Sequence, residues 1–334
     1  MSLAKILVTG GAGYIGSHMV LRLLDAGHQA VIVDDLSTGL KSFVHGSVSL
    51  HIFSTGDSDK LSHLFQTEQF DVVMHFAASI VVGESVKTPY FYYHNNFVNT
   101  LTLLNVMKEY GVKHFIFSST ASIFGEPQYI PVNEAHPKNP INPYGMSKLM
   151  CEQMLKDFDT AYDIKSVSLR YFNAAGADPK TRVGYRTHNA SHLIPLVLET
   201  ALGVNKQLNV YGRDYDTPDG TCVRDYIHVM DLCDAHLLAM NHLMSGGTSC
   251  QYNLGNGHGY SVQQVIDTAQ QVIGRKIKIV DAPRRHGDPA QLVADSRLIQ
   301  KELGWKPHYA ELDVIIKHAW EWEQKMIKSK IPCE

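Results

Sequence analysis

Short apolar runs alternate with longer helical stretches through the first half of the chain. The runs lie at residues 5–9, 30–34, 70–76, 113–119 and 166–171, and each has the length of a buried strand. Helical periodicity follows the first run at residues 16–26, and a second helical stretch lies near residues 90–110. Strands that alternate with helices predict parallel strands joined by helical crossovers, and therefore an α/β fold with a Rossmann-like, doubly wound parallel sheet.

The pattern changes after about residue 175. Glycine, proline, aspartate and asparagine cluster at residues 177–189 and 212–220, and an apolar helix is predicted near residues 231–244. We therefore predict two domains, a sheet domain at residues 1–175 and a smaller α/β substrate-binding lobe at residues 176–334, with segments of the two interleaved. Loops that cover a rigid sheet commonly carry ligand contacts.

Composition narrows the class of protein. The chain has 334 residues, of which 44% are hydrophobic and 19% charged, and its net charge is -3. This charge gives no electrostatic reason to expect nucleic acid or an anionic membrane as a partner. The longest apolar runs are strand-sized, and no signal-peptide pattern precedes the first strand. The five cysteines have no CxxC spacing, which predicts reduced thiols in a cytoplasmic protein and no metal site.

A glycine-rich turn follows the first strand. Gly11, Gly13 and Gly16 fit G-x-G-x-x-G, and Gly10 in place of Gly11 gives G-x-x-G-x-x-G. Glycines at these positions allow a tight turn and let the backbone approach a pyrophosphate, which the next helix attracts with its unpaired N–H groups. Glycine-rich turns are common, but the strand before and the helix after make this turn a specific signal for a dinucleotide.

An acidic pair ends the second strand. Asp34 and Asp35 follow Gly16 by roughly 20 residues, the usual distance of the carboxylate that accepts from the adenosine ribose hydroxyls. A carboxylate there repels a 2′-phosphate, so the pair favours NAD over NADP. The alternative is an ordinary turn followed by surface acids.

A tyrosine and a lysine stand one helical turn apart after a proline. Pro143 suits the start of a helix, so Tyr144 and Lys148 share one helical face. Thr120 ends the strand at residues 113–119, and ligands of doubly wound sheets lie at the carboxyl ends of strands. The three side chains can therefore converge on one ligand. Alone, the pair would favour the alternative of an exposed tyrosine beside a solvated lysine.

Such a trio has a clear chemical use. A free phenol, with a pKa near ~10, is a poor base at neutral pH. A neighbouring ammonium and a positive nicotinamide ring both favour phenolate, so we expect the pKa of Tyr144 to fall. Tyr144 then takes a proton from a substrate hydroxyl that Thr120 also contacts, while hydride leaves the same carbon for NAD.

Together these residues resemble the extended short-chain dehydrogenase/reductase family, and in particular its epimerase branch. The resemblance covers nearly the whole chain. It rests on TGGAGYIGSH (9–18), DVVMHFAA (71–78), VGES (82–85), FSSTASIFGE (117–126), NPYGMSKLMCE (142–152), LRYFNAAGA (169–177), YGRDYDTPDGTCVRDYIHVMDL (211–232), YNLGNG (252–257) and APRRHGDPAQLVAD (282–295). It implies an isomerase that interconverts UDP-glucose and UDP-galactose at C4 through a 4-keto sugar, with tightly held NAD, and that forms a homodimer.

The resemblance also implies roles for particular residues. Catalysis falls to Tyr144 as acid and base, Thr120 as its hydroxyl partner and Lys148. NAD contacts are expected from Gly10, Gly13, Tyr14, Ile15, Gly16, Asp34, Asp35, Thr38, Gly39, Asp57, Ser58, Phe76, Ala77, Ala78, Asn95, Lys148 and Tyr171, and Asn96 is an alternative to Asn95. Substrate contacts are expected from Thr120, Tyr144, Asn173, His192, Leu193, Tyr211, Arg224, Arg285, Asp288 and Leu292.

The substrate residues make physical sense, because two arginines from distant segments can hold a diphosphate. The alternatives are an ion pair of Arg224 with Asp225 or Asp231, and a solvated basic loop for Arg284 and Arg285.

Three positions depart from some family members. Ile80 replaces a lysine, His192 replaces an asparagine, and Leu292 replaces a tyrosine that narrows the sugar pocket. Activity on UDP-N-acetylhexosamines therefore stays open. A 4,6-dehydratase is disfavoured, because Ala121 and Ser122 follow Thr120 where those enzymes carry two acids. A plain NAD-dependent dehydrogenase and a non-catalytic NAD sensor are further alternatives.

Overall fold

The computed structural model describes residues 3–186, 192–285 and 288–329. The strands are β1 Lys5–Thr9, β2 Gln29–Asp34, β3 Ser49–Ile52, β4 Val72–His75, β5 His114–Thr120, β6 Lys165–Tyr171, β7 Asn173–Ala175, β8 Leu208–Tyr211, β9 Val223–Arg224, β10 Tyr226–His228, β11 Cys250–Leu254, β12 Tyr260–Ser261, β13 Ile279–Ala282 and β14 Gln291–Leu292. The end of the loop predicted at 177–189 and Cys333 lie outside the described residues.

The helices complete two layers around the large sheet and a third group in the second half of the chain. They are α1 Tyr14–Asp25, α2 Ser58–Thr67, α3 Val82–Lys87, α4 Pro89–Tyr93, α5 Asn99–Glu109, α6 Pro143–Tyr162, α7 Leu193–Ala201, α8 Val229–Met244, α9 Val262–Ile273, α10 Arg297–Leu303 and α11 Leu312–Ser329. Among the described residues, no helix is long and apolar enough to cross a membrane.

Seven parallel strands form the central sheet in the order β11-β6-β5-β4-β1-β2-β3. Neighbouring residues of β1 face opposite layers, since Ile6 and Val8 pack in one core and Leu7 packs in the other. Helices cover both faces, so the strands read as continuous apolar runs. The doubly wound sheet and its five predicted strands are confirmed, whereas β3 and β11 were not predicted.

The helical stretch predicted near residues 90–110 is interrupted. A π-helical turn at His94–Val98 separates α4 from α5. Around this turn the carbonyl of Asn96 accepts hydrogen bonds from the Thr100 hydroxyl at 2.6 Å and the Cys151 thiol at 3.2 Å. π-Helical turns are common at functional sites, and this one faces the helix that carries Tyr144.

The second half of the chain forms a smaller group of short strands. It pairs β10 with β7, β13 with β8, and β12 and β14 with β9. Helices α7, α9 and α11 enclose its apolar core. The predicted helix near residues 231–244 is confirmed as α8. Because β11 returns to the large sheet beside β6, the two groups are interleaved along the chain, and the boundary at residue 175 stays a prediction.

Four of the buried histidines have strongly lowered pKa values. They are His18, His75, His228 and His236. Burial lowers the pKa of His18 and His236 to about 4, and that of His75 and His228 to about 3. Each is therefore neutral in the folded protein at pH values where it is protonated in the unfolded chain.

We predict that these four histidines destabilise the protein as the pH falls below 6.5. At these four sites the unfolded chain binds more protons than the folded one, so the stability present above pH 6.5 is lost as the pH falls toward about 4. At about pH 5 each histidine costs on the order of 2 kcal/mol. Burial raises the pKa of Asp225 and Asp231 to about 6, which offsets part of the loss. Urea unfolding at about pH 7.5 and about pH 5 measures the difference, and equal stability at both pH values would contradict this prediction.

Candidate active site

In the glycine-rich turn after β1, backbone segments lie so close together that a side chain would not fit between them. Gly10 has φ +72°, and a Cβ there would lie 2.6 Å from the backbone nitrogen of Ala77. A Cβ on Gly16 would collide with the carbonyl oxygen of Gly10. Gly13 precedes the first residue of α1, and no side chain caps that helix end. The N–H groups at the start of α1 thus form an open cradle for an anion, which fits the pyrophosphate of NAD.

The acids after β2 have distinct environments. Asp34 is buried, and its carboxylate accepts hydrogen bonds from the backbone N–H groups of Ala12 at 2.9 Å and Leu36 at 2.8 Å. Burial raises the pKa of Asp34, and these bonds partly offset that effect. Asp35 is exposed and accepts from Ser37. Asp34 therefore links the second strand to the glycine turn and keeps lone pairs for a ribose.

The other predicted cofactor residues surround the same turn. Asp57 caps α2 by accepting from Lys60 N at 3.1 Å, and Ser58 begins that helix. Thr38 and Gly39 follow the acids, and Phe76, Ala77 and Ala78 follow β4. Ile15 packs partly against the core. The hydroxyl of Tyr14 donates to the Gly176 carbonyl at 2.7 Å, which joins the glycine turn to the second half of the chain.

Two asparagines of the π-helical turn have different tasks. Asn96 is buried, accepts from Ser79 N at 2.8 Å, and donates to Ser79 O at 2.9 Å and Ser147 Oγ at 3.1 Å. Asn95 is only half-buried and donates to the Ser79 hydroxyl at 3.1 Å. The Asn96 amide therefore holds the loop after β4 against α6, whereas Asn95 is the more exposed of the two, and its contact with the cofactor stays a prediction.

Helix α6 begins where the sequence predicts and presents the tyrosine and lysine to the core. Asn142 caps it by accepting from Gly145 N at 2.8 Å, and Pro143 is its first residue. Tyr144 is 9% exposed and Lys148 is 2% exposed. Thr120, at the end of β5, lies close enough to the phenol of Tyr144 to lower its pKa. The pair is therefore not a solvated surface feature.

The buried setting changes both pKa values. Burial lowers the pKa of Lys148 to about 8, and its ammonium donates to the Ser118 carbonyl at 3.0 Å and lies 4.8 Å from the Phe117 ring centroid. Burial raises the pKa of Tyr144, while the nearby Thr120 lowers it. The sequence led us to expect a lowered pKa. The difference arises because desolvation outweighs the effect of Thr120, so the chain's own groups leave the phenol protonated at neutral pH.

Tyr171 connects this site to the substrate side. Its hydroxyl donates to the Ser118 side chain, and its backbone pairs in register with Thr120. Two residues later Asn173 begins β7, and its amide donates to the Asp225 carbonyl at 3.1 Å. The carboxyl ends of β5 and β6 thus lead directly into a cavity.

Seven of the predicted substrate residues line that cavity. They are Asn173, His192, Leu193, Tyr211, Arg224, Arg285 and Asp288. The other three, Thr120, Tyr144 and Leu292, do not line it, and Leu292 packs against the cluster that contains Phe124 and Val132. The sequence reasoning missed Asn209, Cys222 and Tyr226, which also line the cavity. Asn209 and Cys222 lie two residues before Tyr211 and Arg224, a spacing that could have suggested a shared strand face.

The two arginines of the cavity are held at its wall. Arg224 donates to the carbonyls of Val223 at 2.9 Å and Pro289 at 2.8 Å, and lies 3.5 Å from the Asp288 carboxylate. Arg285 stacks on Tyr211, with its guanidinium carbon 4.0 Å from the ring centroid. Each guanidinium lies beside the cavity, where it can reach an anionic ligand.

The alternative partners suggested by the sequence are occupied elsewhere. Asp225 accepts from the backbone N–H groups of Asn256, Gly257 and Ala294. Asp231 accepts from two backbone N–H groups before α11. Arg284 pairs with Asp214 outside the cavity. These contacts separate Arg284 from Arg285 and leave Arg224 paired with Asp288 rather than with its sequence neighbours.

Comparison with known proteins agrees with this geometry. The family model described as "NAD dependent epimerase/dehydratase family" matches residues 6–255 of the chain. A UDP-glucose 4-epimerase of Halalkalibacterium halodurans is 49% identical over 326 residues, which cover 96% of this chain and 96% of that protein. The crystal structure of the Brucella ovis UDP-glucose 4-epimerase in complex with NAD is 42% identical, with a TM-score of 0.93 over 95% of this chain and 98% of that chain.

A further solved structure is similar over almost its full length. The UDP-Glc/GlcNAc 4-epimerase of Campylobacter jejuni is 43% identical, with a TM-score of 0.84 over 96% of this chain and 99% of that chain. The glycine turn, the buried tyrosine–threonine pair and these full-length similarities agree, and the chain belongs to the NAD dependent epimerase/dehydratase family.

Proposed function

We propose that this chain catalyses the reversible C4 epimerisation of UDP-glucose and UDP-galactose through a 4-keto sugar, with NAD as its resident cofactor. The observation that carries the proposal is the placement of the buried Tyr144 near Thr120 at the end of β5, in a chain that also has an open glycine turn and a cavity lined by two arginines. Relatives named UDP-glucose 4-epimerase, at 49% identity over nearly the whole chain, support it.

The residues around the glycine turn are suited to hold NAD. The free N–H groups at the start of α1 would receive the pyrophosphate, Asp34 the adenosine ribose, and Asn95 and Lys148 the nicotinamide half. When bound, NAD would supply the hydride acceptor for C4 of the sugar and the hydride donor for the opposite face. Because no net oxidation occurs, the cofactor need not leave between turnovers.

Tyr144 moves the proton that accompanies this transfer. Its phenol lies near the Thr120 side chain, so both would contact the C4 oxygen of a sugar. Tyr144 takes the hydroxyl proton as C4 becomes a carbonyl and gives it back when the other epimer forms. Burial raises the pKa of Tyr144, so phenolate requires nearby positive charge, and Lys148 is the chain's cation one helical turn away.

The cavity wall suits a nucleoside diphosphate. Arg224 and Arg285 both line it and come from distant segments of the chain, and guanidinium groups bind phosphate oxygens through paired hydrogen bonds. Asp288 would accept from the uridine ribose hydroxyls, and Asn173 would donate to the phosphates. His192, Leu193 and Tyr211 complete the wall around the nucleotide.

Turnover of UDP-N-acetylhexosamines is a second candidate activity. The similar Campylobacter jejuni protein is named a UDP-Glc/GlcNAc 4-epimerase. Leu292 is partly buried against Phe124 and Val132, and its size is intermediate between residues that would open or close the sugar pocket. Because the size of Leu292 does not favour N-acetylated sugars, we propose UDP-glucose and UDP-galactose as the primary substrates.

A homodimer is supported by a group of exposed apolar residues. Val86 is 62% exposed, Tyr90 80% and Phe91 50%, and Val98 and Leu101 continue the same helical region into α5. Large exposed apolar patches mark interaction sites.

Free thiols at Cys151, Cys222, Cys233 and Cys250 support a cytoplasmic location. The proposed reaction belongs to galactose metabolism.

Replacement of Tyr144 by phenylalanine tests the proposed chemistry. We expect the purified protein to convert UDP-galactose to UDP-glucose without added cofactor and without net NADH. Tyr144→Phe should lower kcat by ~10²–10⁴-fold, because it removes the proton carrier. A coupled UDP-glucose assay measures both proteins, with UDP-GlcNAc run as a parallel substrate.

Tyr162→Phe is the matched control, because Tyr162 ends the same helix and is 42% exposed. That variant should keep the activity of the unmodified protein. Full activity in Tyr144→Phe would remove Tyr144 from the mechanism, and absence of any UDP-glucose with the unmodified protein would refute the proposed function.

The dimer has a separate test. The double variant Tyr90→Asp/Phe91→Asp puts two charges into the exposed apolar patch, so we expect a monomer by light scattering where the unmodified chain is a dimer. Val204→Asp alters another exposed apolar residue, at 69% exposure, and should leave the dimer intact. A dimer of unchanged affinity in the double variant would exclude this surface.

A further inference from the structure

A fully buried ion pair lies directly behind the catalytic trio. The Glu152 carboxylate accepts from Arg170 Nε at 2.9 Å and from the Arg170 terminal nitrogen at 2.7 Å. It also accepts from the Ser119 hydroxyl at 2.6 Å. The side chains of Arg170 and Glu152 are only 2% and 3% exposed. None of these three residues has a role in the proposed chemistry.

Each member of this network is a close neighbour of a residue in the site. Ser119 precedes Thr120 on β5, and Arg170 precedes Tyr171 on β6. Glu152 follows Lys148 by one turn of α6. The register of the two strands pairs Ser119 with Arg170, and Thr120 with Tyr171. The network therefore joins the same three elements that carry the catalytic groups.

Stability alone does not explain the network. Removing two charges from water is costly, and apolar residues of similar volume often replace a buried ion pair without loss of stability. A bidentate arginine–carboxylate pair does fix distance and direction, which apolar contacts do not. Arg170 also lies 5.7 Å from the Phe124 ring centroid, and Glu134 and Lys138 are charged neighbours at this end of the sheet.

We propose that Ser119, Glu152 and Arg170 act as positioning residues, which hold α6 against β5 and β6 so that Tyr144 stays beside Thr120. This inference rests on the proposed function. Without the network α6 can shift along the two strands, and a displacement of roughly 1 Å at reacting groups can cost about 100-fold in rate.

The double variant Glu152→Met/Arg170→Met separates position from stability, because it removes both charges and keeps similar volume. We expect a folded protein of unchanged or higher Tm whose kcat for UDP-galactose falls at least about tenfold. The acidic limb of kcat against pH should move to higher pH, because the contact with Thr120 that lowers the pKa of Tyr144 is strained. A purely structural network would not move that limb.

A milder variant keeps the test decisive if the double variant does not fold. Ser119→Ala removes one hydrogen bond of the network. Ser166→Ala is its control, because Ser166 is also buried but lies near the start of β6, at the opposite end of that strand from Arg170. We expect lower kcat and a shifted acidic limb only for Ser119→Ala. Unmodified kcat and pH profile in either the double variant or Ser119→Ala would overturn the inference. Lack of activity in the unmodified protein would instead refute the proposed function.

Discussion

The packing of helix α6 onto strands β5 and β6 is the contact on which the site depends. It buries Tyr144 and Lys148 at the carboxyl end of the sheet, where Thr120 and Ser118 meet them. On its other side Asn96 holds the loop after β4 to Ser147 of the same helix. Cofactor loop, catalytic helix and strand ends therefore share one rigid support, and a shift of α6 would change all of them.

Burial in that contact has a chemical consequence. Desolvation raises the pKa of Tyr144 and lowers that of Lys148 to about 8, so both groups are driven toward their neutral forms. A phenol with a raised pKa is a poor base until a positive charge beside it lowers that pKa. Tying deprotonation of Tyr144 to bound NAD would keep proton and hydride transfer together, because the base becomes effective only where the hydride acceptor is present.

Much of this arrangement could be predicted from the sequence, because local signals decide it. The glycines after β1 are required by backbone approach, Pro143 marks the start of α6, and strands buried on both faces read as apolar runs. Strand β3 was missed because it is a four-residue edge strand with partly exposed side chains. Strand β11 was missed because only its long-range pairing with β6 identifies it.

The parts of the site that escaped prediction depend on tertiary contacts. The different contacts of Asn95 and Asn96 follow from a π-helical turn and the position of Ser79. The raised pKa of Tyr144 follows from the depth of its burial, and Leu292 lies beside Phe124 rather than on the cavity wall. No spacing along the chain encodes these distances.

The central claim is that hydrogen leaves C4 of the sugar and returns to the same carbon within one bound complex. UDP-galactose labelled with deuterium at C4 tests this most directly, in ordinary water and without added NAD. The account predicts UDP-glucose that retains deuterium at C4, with none of the label in the solvent. Exchange of the C4 label for solvent hydrogen would contradict the account.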